Sequence, residues 1–305
     1  MRPVTLSVTL PSFGPIFGAD DHRALLDLAK LAESAGVDRL LIADHVVMGP
    51  DLDDYPFGTF PFGPEVGWLE PLTCLSAIAG VTERVRLSTK ILIAPLRPAA
   101  LLAKTLATLD QLSSGRVEVG VATGWQRKEY EAVGVGWEHR GQALTDTIAA
   151  CRALWGPSPT RFDSPTISFS DVWCEPKPVQ SGGVPVWFAG GLHARNLDRL
   201  VRLGDGWIPP AYCPLETFTP LVDELRTALH EGGRESEAFG VQADLDVVVD
   251  DRGKPDLSAS LAAVPQWIAA GATTINVVLT LFIGRLERAP GFFDELAAGW
   301  KREVG

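Results

Sequence analysis

The sequence predicts a (β/α)8 barrel, an α/β fold of the TIM-barrel type, on three observations. Eight strand-like runs alternate with eight helical stretches along 305 residues, about 38 residues to a unit. Several helical stretches end at a glycine, and a short apolar run follows almost at once. Those runs are continuous, as in Leu40-Leu41-Ile42-Ala43 and Ile275-Asn276-Val277-Val278-Leu279, the pattern of parallel strands covered on both faces. Strict alternation implies right-handed parallel crossovers, and eight of them beginning on a strand suit a closed barrel. A doubly wound open sheet would carry a glycine fingerprint after its first strand. Here that turn reads Pro11-Ser12-Phe13-Gly14-Pro15, which favours the barrel.

Taken in order, the strand Val4–Leu10 opens the chain. The helix Asp21–Ala35 stops at Gly36 before the strand Arg39–Ala43, and the helix Glu70–Thr82 precedes the strand Arg86–Ile93. The helix Pro98–Leu112 runs out near Gly115 before Val117–Val121, and Arg140–Trp155 leads to Pro185–Ala189. The helix Ala194–Leu203 stops at Gly204 before Gly206–Ile208, and Leu215–His230 leads to Val241–Val249. The helix Ser258–Ala270 stops at Gly271 before Thr274–Val278, and the helix Gly291–Arg302 closes the series. Glycine just past a helix reads as a left-handed cap, because without a Cβ it reaches positive φ at little cost.

Two irregular insertions, at about 46–68 and 156–183, interrupt this rhythm. Loops of that length inside a compact domain are usually functional or mobile. The first follows the second strand, at the barrel face that carries active sites, and reads as a lid or pocket wall. The second follows a helix and belongs to the opposite face. No linker or shift in composition divides the chain, so residues 1–305 are expected to form a single domain.

Composition bounds the function. Apolar residues make up 46% and charged residues 21%, a globular balance. The net charge is −11, with no cluster of five basic residues, which argues against nucleic acid as partner. An anionic ligand would have to be held locally, by helix N-termini and backbone N–H groups. The four cysteines, Cys74, Cys151, Cys174 and Cys213, match no zinc or redox spacing, and no other metal motif is present. No apolar run reaches membrane length and no signal sequence is evident. A cytoplasmic protein acting on a small molecule is the expectation.

Three places could carry chemistry. Asp44-His45 follows the second strand, and a histidine there can exchange a proton near neutral pH or simply pack beneath the following loop. Asp44 reads as an anchor for loop backbone. The fourth strand exits through Gly120-Val121-Ala122-Thr123-Gly124-Trp125, whose glycines admit a flat ligand or a neighbouring backbone, with Arg127 and Glu129 on a following turn. The fifth strand ends in Gly190-Gly191 before a helix, either a phosphate site or a plain turn.

These residues, taken with others in one order, resemble the luciferase-like monooxygenase superfamily. The resemblance rests on Asp44-His45, Glu70-Pro71-Leu72, Thr82 through Leu87, Leu96-Arg97-Pro98, Ala103-Lys104 and Thr108 through Ser113. It continues through Gly115-Arg116, Gly120 through Trp125, Glu129, Arg140-Gly141, Leu154-Trp155, Pro176-Lys177-Pro178, Gly190-Gly191 and Asp205-Gly206-Trp207. Roughly residues 4 to 210 carry it.

The resemblance implies a bacterial-luciferase-like barrel that binds coenzyme F420 or FMN, with the F420-dependent branch more similar. It implies His45 as proton donor or hydrogen-bond partner at the reactive ring edge, supported by Asp44. Thr89-Lys90-Ile91 would back the ring at a place where some members hold a non-proline cis peptide. Thr123-Gly124-Trp125 would approach the ring or ribityl chain, Gly190-Gly191 would hold the phosphate, and Glu129 carries a modest catalytic expectation. Trp125 stands where a sugar-phosphate dehydrogenase branch has a glutamate acid, which argues against that substrate.

The leading expectation is an F420-dependent oxidoreductase moving a hydride to or from a small, partly apolar organic substrate. The aromatic run Tyr55 to Phe62, with Trp68, suggests the apolar pocket. The alternatives are an FMN-dependent monooxygenase fed by a separate reductase and a flavin-binding protein without turnover. Family resemblance also implies a homodimer.

Overall fold

The computed structural model describes residues 3–17 and 21–305. The expected domain span of 1–305 therefore includes residues 1–2 and 18–20, which lie outside the described residues. The strands are β1 (Thr5–Thr9), β2 (Arg39–Ile42), β3 (Arg86–Thr89), β4 (Leu92–Ile93), β5 (Val119–Ala122), β6 (Thr160–Asp163), β7 (Ser168–Val172), β8 (Val186–Ala189), β9 (Gly206–Ile208), β10 (Gly240–Asp244) and β11 (Thr274–Val278). The helices are α1 (Ala24–Ser34), α2 (Pro71–Ala79), α3 (Ala99–Leu112), α4 (Arg127–Val133), α5 (Arg140–Trp155), α6 (Ala194–Leu203), α7 (Leu215–Glu231), α8 (Leu257–Leu261), α9 (Val264–Ala269) and α10 (Ala289–Val304).

Nine strands form one parallel sheet in the order β3-β2-β1-β11-β10-β9-β8-β5-β4. Its two ends, β3 and β4, are consecutive parts of one passage of chain. A parallel bridge from Leu87 to Val117 and the pairing of β4 with β5 join those ends. Eight passages thus close a barrel, as the alternation of elements predicts. The helix-facing side is apolar, with Val8, Leu40, Leu87, Val119 and Val186 fully buried. The alternating inner face is also buried but mixed in kind, with Leu41 beside Ser7, Ser88, Gln242 and Asn276. Burial on both faces is why β2 reads as a continuous run.

Several boundaries differ from the sequence expectation. The third strand breaks at Lys90-Ile91, whose peptide is cis. The seventh stops at Asp244, because the chain then leaves the sheet to pair Val249 with Pro255, and the Asp250 carboxylate accepts from the Arg252 and Lys254 amides to form the turn. The helix over 258–270 is two, since Pro265 lies in the first turn of α9, where its missing N–H costs nothing. The second insertion contains an antiparallel hairpin, β6–β7. Gly36, Gly115 and Gly271 have positive φ, but Gly204 has φ −87° and is not a left-handed cap.

Gly120 explains one glycine of the fourth-strand exit. A Cβ there would lie 2.3 Å from the Thr89 carbonyl oxygen and 2.8 Å from Ile208 Cδ1. The close neighbour is backbone, and backbone cannot rotate away. Gly120→Ala should destabilise the protein by about 3 kcal/mol, the upper part of the range for overpacking, measured by denaturant unfolding. A change under about 1 kcal/mol would contradict this packing.

Candidate functional site

A cavity of about 520 Å³ opens at the C-terminal mouth of the barrel. Its walls come from the exits of several strands: Lys90 and Ile91 after β3, Ala122 through Trp125 after β5, Ala189 and Gly190 after β8, and Ile208 through Ala211 after β9. Pro56 and Phe57 of the first insertion complete one side. Of the residues singled out from sequence, Lys90, Ile91, Thr123, Gly124, Trp125 and Gly190 lie in this wall. Asp44, His45, Thr89, Glu129 and Gly191 do not.

Those five stand close behind the wall. Thr89 is fully buried, and its hydroxyl donates to the Gly120 carbonyl at 2.7 Å. Asp44 is an anchor. Its Oδ2 accepts from the Ile93 amide at 2.8 Å, and Arg97 grips the carboxylate through Nη1 to Oδ2 at 2.7 Å and Nη2 to Oδ1 at 3.0 Å. Arg97 also bonds Glu70 Oε1 at 2.8 Å. Burial alone would lower the Arg97 pKa, but the Asp44 hydrogen bonds and charge, with Glu70, raise it overall. The Asp44 side chain thus ties the exit of β2 to the start of α2 and to the turn after β4.

His45 pairs with Glu129 rather than with Asp44. Its Nδ1 lies 3.0 Å from Glu129 Oε2, and the Val46 N–H donates to Glu129 Oε1 at 2.7 Å. Glu129 is fully buried in α4. With both of its oxygens accepting, the carboxylate holds the His45 proton on Nδ1 and fixes the ring orientation. Nε2 makes no hydrogen bond among the described residues. The imidazole also meets Trp68 edge-on at 4.5 Å and Trp125 edge-on at 5.7 Å between ring centres, and Trp125 carries it to the cavity wall.

The first insertion is held by aromatic packing. Trp68 stacks on Phe13 at 3.7 Å, Phe13 meets Phe62, Phe62 meets Phe60, and Phe60 leans on Trp125 at 5.4 Å. With His45 this makes a closed circuit of six rings beside the cavity. Such contacts contribute beyond their buried area, and here they fix a loop that has little regular secondary structure.

The sequence reading assigned no role to the cationic side of the cavity. Arg140, Arg195, Arg199 and His193 line it, opposed by Glu138, in a chain whose net charge is −11. Arg199 is buried: its Nε donates to Thr145 Oγ1 at 2.8 Å and its Nη2 to the Gly141 carbonyl. Burial, then the neighbouring Arg195 charge, lowers the Arg199 pKa. His193 caps α6 while Asn196 donates to the Gly191 carbonyl at 3.0 Å. Lys90, on the opposite wall, is neutralised by Asp244 at 2.5 Å. Helical periodicity conceals these arginines, because Arg140 and Arg195 come from different helices 55 positions apart. Among the described residues, no group of three or more histidine, cysteine or acidic side chains could hold a metal ion, and no helix is long and apolar enough to cross a membrane.

A closed parallel barrel with an open mouth lined by arginines defines the class of protein as an α/β barrel. Residues 6–289 match the luciferase-like monooxygenase family, and the chain belongs to that family. It is therefore an enzyme of the luciferase-like oxidoreductase class. It is 34% identical to an uncharacterized protein of Mycobacterium tuberculosis over 77% of this chain and 88% of the relative. It is 30% identical to an FMNH(2)-dependent dimethylsulfone monooxygenase of Pseudomonas fluorescens over 74% of this chain and 57% of the relative. Among solved structures, the monooxygenase RslO1 from Streptomyces bottropensis superposes with a TM-score of 0.80 at 19% identity, covering 99% of this chain and 100% of that one. An F420-dependent secondary alcohol dehydrogenase superposes at 0.75 with 17% identity, covering 98% and 99%. At those identities the two structures show a shared fold.

Proposed function

We propose that this protein is an F420-dependent oxidoreductase that transfers a hydride between the deazaflavin and a small, partly apolar organic substrate. The observation that carries the reading is the pairing, in one cavity of an acidic protein, of a flat wall of Ile91, Gly124 and Trp125 with a cluster of Arg140, Arg195 and Arg199. A planar ring bearing an anionic chain fits that pairing. The family membership and the F420- and FMN-dependent enzymes among its similar proteins support the same class of cofactor.

In this reading the arginines, with Gly190 in the turn between β8 and α6, hold the anionic chain. An anion beside Arg199 offsets the cost of burying its charge. The ring would lie along Lys90-Ile91 and Thr123-Gly124-Trp125. When bound, the deazaflavin supplies a carbon centre that gives or accepts a hydride and reacts poorly with oxygen. The protein positions the substrate and excludes water, and His45, with Nδ1 held by Glu129, takes up or gives back a proton at Nε2. The six-ring aromatic circuit supplies the apolar side of the substrate pocket. Arg195→Ala should weaken cofactor binding about tenfold, the loss of one charge-assisted contact of ~1.5 kcal/mol. Unchanged affinity would place the anionic chain elsewhere.

The FMN reading draws on the 30% identical FMNH(2)-dependent monooxygenase. In that case a separate reductase would supply reduced flavin. An oxygen electrode separates the two. Protein loaded with reduced F420 should consume no oxygen above the free-cofactor rate. Oxygen uptake coupled to substrate by protein loaded with reduced FMN, with no turnover of F420, would overturn the proposal.

A further inference from the structure

The N-terminal mouth of the barrel holds a second cavity, of about 680 Å³, at the far end of the strands from the proposed cofactor site. All eight passages contribute their entry residues, among them Thr5, Arg39, Arg86, Glu118, Gly240 and Thr274. Trp187 separates this space from the barrel interior. Its indole lies across Gly206 and Gly240, where an added Cβ would fall 2.3 and 2.2 Å from the ring. Both positions must stay glycine for the indole to lie there.

The cavity wall contains a buried guanidinium that is not fully paired. Arg39 is 5% exposed and lies 4.1 Å beneath the Trp187 ring, and its Nη2 makes an ion pair with Glu118 Oε2 at 2.5 Å. Its Nε has no hydrogen-bond partner among the described residues. A buried donor left unmatched is costly, and it marks a place where an acceptor is missing. The charged groups around it are engaged as follows. Glu118 is shared between Arg39 and Arg86, whose Nε lies 2.5 Å from Oε1. Asp205 is taken by Arg152 and the Val186 amide. Asp38 accepts from the Leu6 amide. Arg234 Nη1 reaches the Val201 and Gly204 carbonyls. Three guanidinium groups (Arg39, Arg86, Arg234) and three carboxylates (Asp38, Glu118, Asp205) line the cavity, but Asp205 is drawn to Arg152 outside the lining and Arg234 donates to backbone carbonyls.

We propose that this mouth is a second ligand site, for a small oxyanion of the carboxylate or phosphate class. The anion accepts from Arg39 Nε and is drawn toward Arg86 and Arg234 beside the Trp187 indole. The second insertion takes part, because Gln180 lines the cavity and accepts from Arg86 Nη2 at 2.9 Å. The insertion that the sequence places on the opposite face from the active site therefore has a ligand to enclose.

The test is calorimetric titration of the full-length Arg195→Ala protein, in which the cofactor cavity is weakened, with inorganic phosphate and separately with acetate. The expected result is saturable one-to-one binding of at least one of them. Adding Arg86→Gln or Arg234→Gln should weaken it tenfold or more in whichever double variant keeps the parent's circular dichroism. A response to phosphate alone or to acetate alone names the anion. Absence of saturable binding by either, meaning that the space holds only water, overturns the proposal. So does binding that neither mouth variant changes.

Discussion

His45→Ala is expected to lower turnover by ~10²–10⁴-fold, the usual contribution of a positioned proton-transfer group, while cofactor affinity changes far less. The expectation rests on three features: the Glu129 contact at Nδ1, the unpaired Nε2, and the place of the ring against Trp125 in the cavity wall. Glu129→Gln provides the control. It keeps an acceptor near Nδ1 but no longer holds the proton there by charge, so it should shift the pH profile of turnover while leaving the fold intact. Measuring kcat and the cofactor Kd on both variants separates the proton role from a packing role. Wild-type turnover in His45→Ala would remove His45 from the chemistry.

Asp44→Ala should be the most destabilising substitution in the site, by ~3–5 kcal/mol, because it leaves Arg97 largely buried without its main partner. The loss includes the acceptor of the Ile93 amide. Glu70 retains one contact to Arg97, which places the effect toward the lower end. Urea unfolding reads it directly. Asp44→Asn, which keeps an acceptor for the amide, should cost less. A loss below about 1 kcal/mol in Asp44→Ala would show that Arg97 and the turn after β4 are held by something else. The two substitutions also divide the Asp44-His45 pair: Asp44 anchors Arg97 and the Ile93 amide, whereas the proposed proton role falls to His45.

Much of this was readable in the sequence because the physics is local. Continuous apolar runs such as Leu40-Leu41-Ile42 report strands buried on both faces, and the alternation with helices dictates the barrel. Asp44 and His45 could be placed at the catalytic face because they directly follow a strand. Elements whose cause is tertiary were not visible. Arg86 through Ile93 contains no glycine or proline, so nothing local announces the break at Lys90. The β6–β7 hairpin is short and pairs only with itself. Asp44 was linked to His45 by adjacency, whereas the partner of His45 is Glu129, 84 positions away. Arg140, Arg195 and Arg199 become a cluster only once α5 and α6 lie side by side, and in the sequence they resemble any solvated helical arginines.

The measurement that tests the central claim most directly is a titration of the purified apoprotein with F420 and with FMN, each oxidised and reduced, followed by fluorescence quenching. The account predicts micromolar F420 binding with FMN at least ~100-fold weaker, about 2.7 kcal/mol of discrimination. It also predicts that Arg195→Ala weakens the F420 binding. Preferential binding of reduced FMN would contradict the choice of cofactor, and failure of both to bind would contradict the cavity as a cofactor site.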